Sequence, residues 1–213
     1  MYVKVCGITQ LDDALSAIAA GADALGFNFI PSSKRRIDPT TARHIIQAVR
    51  GRALTVAVVA DLDASACAAL LSDIGVDRLQ LHGDEAPDLV RALGARAFKA
   101  LRIGSLHDVD GARNFPGHPL LVDAKVEGQL GGTGQRVDWP LVVPLAAARA
   151  IILAGGLTPE NVAAAVTVVQ PCGVDVASGV EVEGDPRRKD PDRLRRFVDA
   201  ARAAAQHTAV LPF

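Results

Sequence analysis

The feature that most constrains the fold of this chain is the alternation of short apolar runs with longer helical stretches from one end to the other. Runs rich in Val, Ile and Leu predict strands, and the Ala- and Leu-rich segments between them predict helices. The predicted strands are 3–6, 24–29, 54–59, 78–82, 97–102, 119–124, 150–154 and 174–178, and the predicted helices are 11–20, 39–49, 64–72, 86–93, 106–114, 139–147, 159–169 and 191–204. Eight strands, each followed by a helix, predict an α/β fold, the (β/α)8 TIM barrel with eight parallel strands.

A three-residue repeat supports this division into strand and helix units. Gly21-Ala22-Asp23, Gly75-Val76-Asp77 and Gly173-Val174-Asp175 each follow a helical stretch and lead into a strand. Glycine in the left-handed conformation commonly ends a helix, so the repeat predicts three similar junctions. A doubly wound open sheet is the alternative, but no Gly-x-Gly-x-x-Gly follows the first strand, and the number of units favours the barrel.

Composition and charge narrow the class of protein. The chain has 213 residues, 49% of them hydrophobic, and no change of composition marks a boundary, so we predict one domain over 1–213. A net charge of -1 favours neither nucleic acid nor a membrane surface as a partner. The three cysteines show no close pair and no metal-ligand spacing to histidine, which predicts a reducing compartment and no metal site. Without a secretory signal or an apolar stretch of about 20 residues, we expect a soluble cytoplasmic protein.

Asp123 ends the apolar run 120–122, and a glycine-rich segment, 128–134, follows it. The run predicts a strand that is buried on both faces and delivers a carboxylate at its carboxyl end. In a barrel these ends share the rim that holds the active site. The glycines would let the next loop approach a ligand and move between open and closed forms. The alternative is that Asp123 binds the backbone of its own loop.

Cys6 brings a thiol to the same rim, at the end of the first strand. A free thiol there could act as a base or nucleophile, and the alternative is a small buried apolar residue. Thr9 is expected to cap the helix that begins near Leu11.

Two basic runs follow the second and eighth strands, Lys34-Arg35-Arg36 and Arg187-Arg188-Lys189. Placed on one rim, they predict a locally cationic pocket for a substrate with more than one negative group. Arginine suits a carboxylate because its planar fork donates two parallel hydrogen bonds. The alternative is that both runs are solvated surface.

Gln80 and His82 alternate with leucines at the end of the fourth strand, so both are expected on its inward face. His82 could be a proton shuttle or a structural histidine.

Two glycine turns follow the last two strands. Gly155-Gly156 precedes Thr158 and Pro159, which are expected to begin a helix, and Ser178-Gly179 follows the eighth strand. Barrels often bind phosphate with the loops after strands seven and eight, so this pairing predicts a phosphate site.

Taken together, the motifs of the chain resemble one family. They are Lys4-Val5-Cys6-Gly7-Ile8-Thr9, Gly26-Phe27 with Ser33-Lys34-Arg35, Gln80-Leu81-His82-Gly83-Asp84-Glu85, Leu121 through Gly134 with Asp138-Trp139, Gly155 through Val162, and Gly173 through Val176 with Ser178-Gly179-Val180-Glu181. In this order and spacing they span nearly the whole chain and resemble phosphoribosylanthranilate isomerase, an enzyme of tryptophan biosynthesis. The resemblance implies a (β/α)8 barrel, no cofactor, a small-molecule phosphosugar substrate, and the Amadori rearrangement of N-(5-phosphoribosyl)anthranilate to 1-(2-carboxyphenylamino)-1-deoxyribulose 5-phosphate.

The resemblance also implies roles for single residues. Asp123 is matched to the general acid and Cys6 to the general base, so the carboxyl must be partly protonated and the thiol must ionise. The apolar strand before Asp123 and the basic loops are expected to favour these two states. Arg35 is matched to the anthranilate carboxylate. The other matched residues contact the substrate (Gln80, His82, Gly132 and Asp175) or its phosphate (Gly155, Gly156, Ser178 and Gly179).

The chain departs from the family pattern at two places on the rim. Arg187 stands where the segment after the eighth strand usually has glycine, and Arg36 stands where an aromatic residue is common. Two other functions stay open, a histidine-pathway isomerase with Asp175 as its base and a non-catalytic barrel that binds phosphorylated metabolites. The oligomeric state is predicted to be monomer or homodimer.

Overall fold

The computed structural model describes residues 1–124 and 138–206. Its barrel strands are β1 (Tyr2–Cys6), β2 (Ala24–Asn28), β3 (Leu54–Val59), β4 (Arg78–Leu81), β5 (Ala97–Ile103), β6 (Leu120–Ala124), β7 (Ile151–Leu153) and β8 (Gly173–Val176). Its helices are α1 (Leu11–Ala19), α2 (Pro39–Val49), α3 (Ala64–Ile74), α4 (Pro87–Leu93), α5 (Leu106–Arg113), α6 (Trp139–Ala148), α7 (Val162–Val169) and α8 (Pro191–Gln206). Each strand pairs in parallel with the next, and β8 pairs with β1. The predicted closed barrel is confirmed, and the open sheet is excluded.

Several helices begin where the sequence supplies a side-chain cap. Asp38 accepts a hydrogen bond from the Thr41 backbone N–H with Pro39 in the first turn of α2, and Ser105 accepts one from Asp108 at the start of α5. Such caps each stabilise a helix by about 1 kcal/mol, because they satisfy N–H groups that the first turn leaves unpaired.

One of the two predicted caps is wrong. Thr9 does not cap α1, because its hydroxyl donates to the Arg187 carbonyl oxygen of β10 at 2.5 Å instead. Thr158 makes the bonds of a cap, since its hydroxyl accepts from the Glu160 backbone N–H at 3.2 Å and its own N–H donates to the Asn161 side chain at 2.8 Å. It does so one turn earlier than the helix itself, because residues 159–161 form a turn and α7 begins at Val162.

The Gly-x-Asp repeat marks two equivalent junctions rather than three. Gly21 and Gly75 have positive φ, and the next Asp in each repeat, Asp23 or Asp77, accepts a hydrogen bond from the backbone of the preceding strand. The third copy differs, because Gly173 is already the first residue of β8 and Asp175 therefore lies inside the barrel. The third glycine does not end a helix, because α7 already ends at Gln170, which takes the left-handed conformation that glycine takes in the other two copies.

Apolar side chains fill the sheet on both faces. In β6, Leu120 and Val122 pack against the helices, whereas Leu121 packs inside the barrel with Phe98 and Ile152. The run before Asp123 is thus buried on both faces, as predicted.

Every helix in the described ranges falls short of the length and apolar character that a membrane-spanning segment needs. That 1–213 form one domain stays a prediction.

A short hairpin that the sequence interpretation missed follows the eighth strand. A 3-10 turn, Ser178–Val180, leads into β9 (Glu181–Val182), which pairs antiparallel with β10 (Asp185–Lys189) outside the barrel sheet. Its charged sequence has no apolar alternation, so no strand pattern was visible. The hairpin is important because two of its side chains enter the site described next.

Candidate active site

The carboxyl ends of the barrel strands carry a set of buried polar side chains. They are Lys4 and Cys6 on β1, Gln80 and His82 at the end of β4, Asp123 on β6 and Asp175 on β8. The apolar interior of the barrel comes mostly from other strands, with Ala24 on β2, Val56 on β3, Phe98 on β5 and Ile152 on β7. Because all eight strands run in one direction, this polar layer forms at one rim only.

Lys4 and Asp175 form an ion pair across the point where the barrel closes. The two residues are register partners on β1 and β8, and the Lys4 Nζ donates to Asp175 Oδ1 at 2.9 Å. Lys4 has no exposed surface. Burial alone would lower the pKa of Lys4, but attraction to the Asp175 and Cys6 side chains outweighs burial and raises it. Lys4 is therefore a buried ammonium ion.

The Cys6 thiol lies next to this pair and packs against Ile30 and Val58. Its burial raises the pKa of the thiol, while the Lys4 ammonium opposes the increase and the Asp175 carboxylate adds to it. Lys189 of the second basic run also lowers this pKa, so the expected effect of the basic loops is present, but burial outweighs it. The strongest favourable charge comes from Lys4, inside the barrel, and not from the surface arginines.

Arg35 is buried, whereas its neighbours Lys34 and Arg36 are exposed. Its Nε donates to Glu181 Oε1 at 2.5 Å, and its Nη2 donates to Glu181 Oε2 at 3.1 Å. The three residues are therefore not an interchangeable basic surface. Glu181 lies two residues after Gly179, so this ion pair connects the loop after β2 to the segment that follows the second glycine turn.

The second basic run divides in the same way. Arg187 and Arg188 are exposed, but Lys189 is buried and its Nζ donates to Glu181 Oε1 and to the Ala177 carbonyl oxygen, both at 3.1 Å. Burial lowers the pKa of Lys189, although Glu181 opposes this change. Arg35 and Lys189 thus share one carboxylate.

Asp123 and His82 meet on the other side of the rim. His82 Nε2 lies 3.5 Å from Asp123 Oδ2, and His82 Nδ1 lies 2.9 Å from the Gln80 side-chain nitrogen. Asp123 Oδ1 accepts the backbone N–H of Ala124 at 2.8 Å, which is the local bond of the alternative interpretation. Asp123 makes this local bond and still faces the rim, because Oδ1 accepts from the backbone while Oδ2 lies near His82.

Lys99 holds the backbone on both sides of His82 through hydrogen bonds. Its buried Nζ donates to the Leu81 and Gly83 carbonyl oxygens at 3.1 and 2.7 Å and lies 3.1 Å from Glu85 Oε2. The position of the imidazole is therefore set by the strand and by this buried lysine.

The two glycine turns lie against each other and against Asp123. A methyl group on Gly179 would collide with the Leu157 carbonyl oxygen, and one on Gly155 would lie 3.0 Å from Asp123 Oδ1. Gly155 and Gly156 have φ of 83° and 61°, which favours glycine. Within the described part of the chain, their backbone N–H groups have no hydrogen-bond acceptor. These donors suit an anion.

Sequence reasoning missed two residues of the site, Lys4 and Glu181, and gave Lys189 only as one member of the second basic run. Lys4 could have been found, because it lies two residues before Cys6 on one strand and therefore on the same face. Glu181 carried no such signal, since its position depends on the hairpin. Gly132, predicted to contact the substrate, lies outside the described residues.

Ionisable side chains at the carboxyl ends of barrel strands, with glycine turns beside them, define a (β/α)8-barrel enzyme. The family model for N-(5'-phosphoribosyl)anthranilate (PRA) isomerase matches residues 3–200. The chain belongs to this family, which confirms the family and the isomerase class that its motifs predicted.

Relatives and solved structures agree with this assignment. The N-(5'-phosphoribosyl)anthranilate isomerase of Desulforudis audaxviator is 45% identical over 204 residues, covering 95% of this chain and 98% of the relative. The crystal structure of the Thermotoga maritima phosphoribosyl anthranilate isomerase has a TM-score of 0.87 at 37% identity, covering 95% of this chain and 99% of that one. A structure of the isomerase in complex with reduced 1-(o-carboxyphenylamino)-1-deoxyribulose 5-phosphate has a TM-score of 0.84 at 36% identity, with the same coverage.

The shared carboxylate of Glu181 generates a stability prediction. We expect Glu181→Gln to lower the free energy of unfolding by about 3–5 kcal/mol, because Arg35 and Lys189 would remain buried without their anion. Urea denaturation measures this change. The control is Glu160→Gln, which removes the partner of an exposed pair with Arg196 and should change the free energy of unfolding far less. Equal losses in the two variants would contradict the importance of the buried cluster.

Proposed function

We propose that Asp123 and Cys6 are the general acid and the general base of the isomerisation of N-(5'-phosphoribosyl)anthranilate in this chain. The observation that carries this proposal is their placement: both are buried at strand carboxyl ends of one rim, and Asp123 adjoins the Gly155 turn. An acid and a base on different strands can act on different atoms of one bound sugar.

The reaction involves four proton transfers. Asp123 gives a proton to the ribofuranose ring oxygen as the C1–O bond breaks, which produces an iminium ion between C1 and the anthranilate nitrogen. The Cys6 thiolate takes the C2 proton, and the electron pair of that C–H bond neutralises the iminium to give an enolamine. The enolamine gains a proton at C1 and loses the C2 hydroxyl proton, and the product is the ketose.

The state of Cys6 requires explanation, since a base must ionise. Burial raises the pKa of the thiol, so the resting group is the neutral thiol. A high pKa makes the thiolate a stronger base once it forms, which suits removal of a weakly acidic C–H proton. The pair of His82 and Asp123 supports a role for His82 in substrate contact or in returning the proton to the acid.

Phosphate binding is proposed for Gly155, Gly156, Ser178 and Gly179. The two turns touch through Gly179 and the Leu157 carbonyl, so a single phosphate could receive hydrogen bonds from both. The donors are backbone groups of the turns themselves, because α7 begins only at Val162.

Arg35 is proposed to bind the anthranilate carboxylate. A guanidinium carries five N–H donors, so it can serve Glu181 and a substrate carboxylate together. Lys189 donates to the same Glu181 carboxylate as Arg35, so two cationic groups lie close together here and would attract a carboxylate. We also propose substrate contacts for Gln80, His82 and Asp175, whereas the contact of Gly132 stays a prediction.

We also propose a cellular location for the chain. Three free cysteines support a reducing compartment such as the cytoplasm. Whether the chain is a monomer or a homodimer stays a prediction.

The acid and base assignment predicts the kinetics of two variants. Cys6→Ser and Asp123→Asn should each lower kcat by roughly 10²–10⁴-fold with a smaller change in KM, because both groups act in the transition state. The loss of phosphoribosylanthranilate fluorescence measures the rate. Cys172→Ser is the control, since this cysteine lies before β8 at the opposite end of the barrel and should keep near-native turnover. Near-native turnover of either catalytic variant would contradict the assignment.

The phosphate proposal predicts which amides respond to the anion. Titration with inorganic phosphate should shift the amide resonances of Gly155, Gly156 and Gly179 in a saturable way, because these N–H groups would donate to it. Gly51, on the surface with open space around it, is the control and should not respond. Saturable shifts at Arg187 and Arg188 alone would show that the phosphate binds to exposed side chains instead.

The carboxylate proposal predicts a loss specific to Arg35. Both Arg35→Lys and Arg35→Ala should raise KM by about tenfold to hundredfold, because a charge-assisted fork contributes about 1.5–3 kcal/mol and lysine cannot replace its geometry. Lys34→Ala and Arg36→Ala are matched controls from the same loop, since both side chains are exposed. Equal increases of KM in all of these variants would remove the specific role of Arg35.

A further inference from the structure

One fully buried charge in the barrel has no role in the proposed chemistry. Lys4 lies on β1, two residues before Cys6, and a period of two places both side chains on the interior face. Its ammonium group is fixed on one side by Asp175 at 2.9 Å. A buried charge of this kind is expensive to keep, so its position beside the thiol calls for a physical explanation.

Gly26 on β2 shows how close the ammonium and the thiol are. A methyl group on Gly26 would lie 2.8 Å from Cys6 Sγ and 3.1 Å from Lys4 Nζ. Because both distances start from one point, Sγ and Nζ are no more than about 6 Å apart, the range in which a cation stabilises a neighbouring anion. The missing side chain of Gly26 leaves the space between them open.

The charges around the thiol come from four segments. Lys4 lies on β1, Asp175 on β8, Lys189 on β10, and Arg35 follows β2. Lys189 and Arg35 share the Glu181 carboxylate, which weakens their effect on the thiol. The balance at Cys6 therefore depends mainly on Lys4 and Asp175.

We infer that Lys4 is a positioning residue for Cys6, whose ammonium group, anchored by Asp175, supplies the positive charge beside which the thiol loses its proton. This inference rests on the proposed role of Cys6 as the base. The thiol ionises before it takes the C2 proton of the substrate, and its own proton passes to solvent. Asp175 acts in two ways, since it holds the ammonium in place and also competes with the thiolate for its charge.

The direct test is the pH dependence of Cys6 alkylation by iodoacetamide, followed by mass spectrometry of the peptide that carries Cys6. Only the thiolate reacts, so the rate reports the ionised fraction without the need for turnover. Lys4→Met should raise the apparent pKa of Cys6 by about one unit or more, which is about tenfold less thiolate below that pKa. Lys4→Arg keeps the charge and should restore most of the wild-type titration.

The same change should appear in the kinetics. Because the thiolate is the active form, kcat/KM rises with pH through the Cys6 pKa, and Lys4→Met should move this rise to higher pH. Asp175→Asn should move the alkylation curve to lower pH, because the thiolate then becomes the main anion available to Lys4. A variant that merely loosened the fold would not move the two curves in opposite directions.

Lys99→Met is the matched control. Lys99 is also a buried lysine beside a carboxylate, Glu85, but it lies on β5 and fixes the His82 segment. Its loss should lower the stability of the fold and leave the alkylation curve of Cys6 in place. If Lys4→Met does not fold, Lys4→Gln takes its place, and an unchanged or lower pKa of Cys6 in that variant overturns the inference.

The inference and the proposed function fail in different ways. If Cys6→Ser keeps near-native turnover, the role of Cys6 as the base is wrong, while the alkylation curves still show whether Lys4 controls the thiol. If Cys6→Ser is inactive but Lys4→Met and Asp175→Asn leave the alkylation curve unchanged, only the role of Lys4 is overturned.

Discussion

The barrel closes where β8 pairs with β1, and the buried ion pair of Lys4 and Asp175 lies across that junction. The interior of a parallel barrel excludes water, so each charge there must meet a partner of opposite sign or cost several kcal/mol. Register places the two residues directly opposite each other, and the pair links the first and last strands through their side chains. The electrostatic environment of Cys6 follows from this closure, because the thiol lies on the same strand face.

The buried cluster of Arg35, Lys189 and Glu181 connects the loops of the rim, as the pair of Lys4 and Asp175 connects the first and last strands. Parallel strands leave the connections beyond their ends without sheet hydrogen bonds, so side chains must fix these loops in position. Arg35 from the loop after β2 and Lys189 from β10 converge on Glu181, and the Lys189 backbone N–H donates to Asp13 of α1 at 2.9 Å. The hairpin after β8 is thereby held against the first two strand-helix units.

The site also depends on three glycines, Gly7, Gly26 and Gly179, which carry no side chain. Gly7 has positive φ and lies against the Arg35 side chain, where any β-carbon would collide with it. Gly26 leaves the space shared by the thiol and the Lys4 ammonium, and Gly179 lets the turn after β8 approach the turn after β7. In each case the close approach of a functional group to the backbone, and not flexibility, accounts for the glycine.

The barrel and the rim positions of Cys6 and Asp123 could be predicted from the amino-acid sequence, because the period of apolar residues indicates strands and helices, and parallel strands all end on one side. The glycine turns could be predicted as well, since their residue type reflects a local backbone requirement. The burial of particular basic residues could not be predicted, because Arg35 and Lys189 differ from their exposed neighbours through Glu181, a partner that is remote in sequence from Arg35. The protonation of Cys6 likewise depends on burial and on charges from several strands, so burial raises its pKa where the basic sequence around it had suggested the opposite.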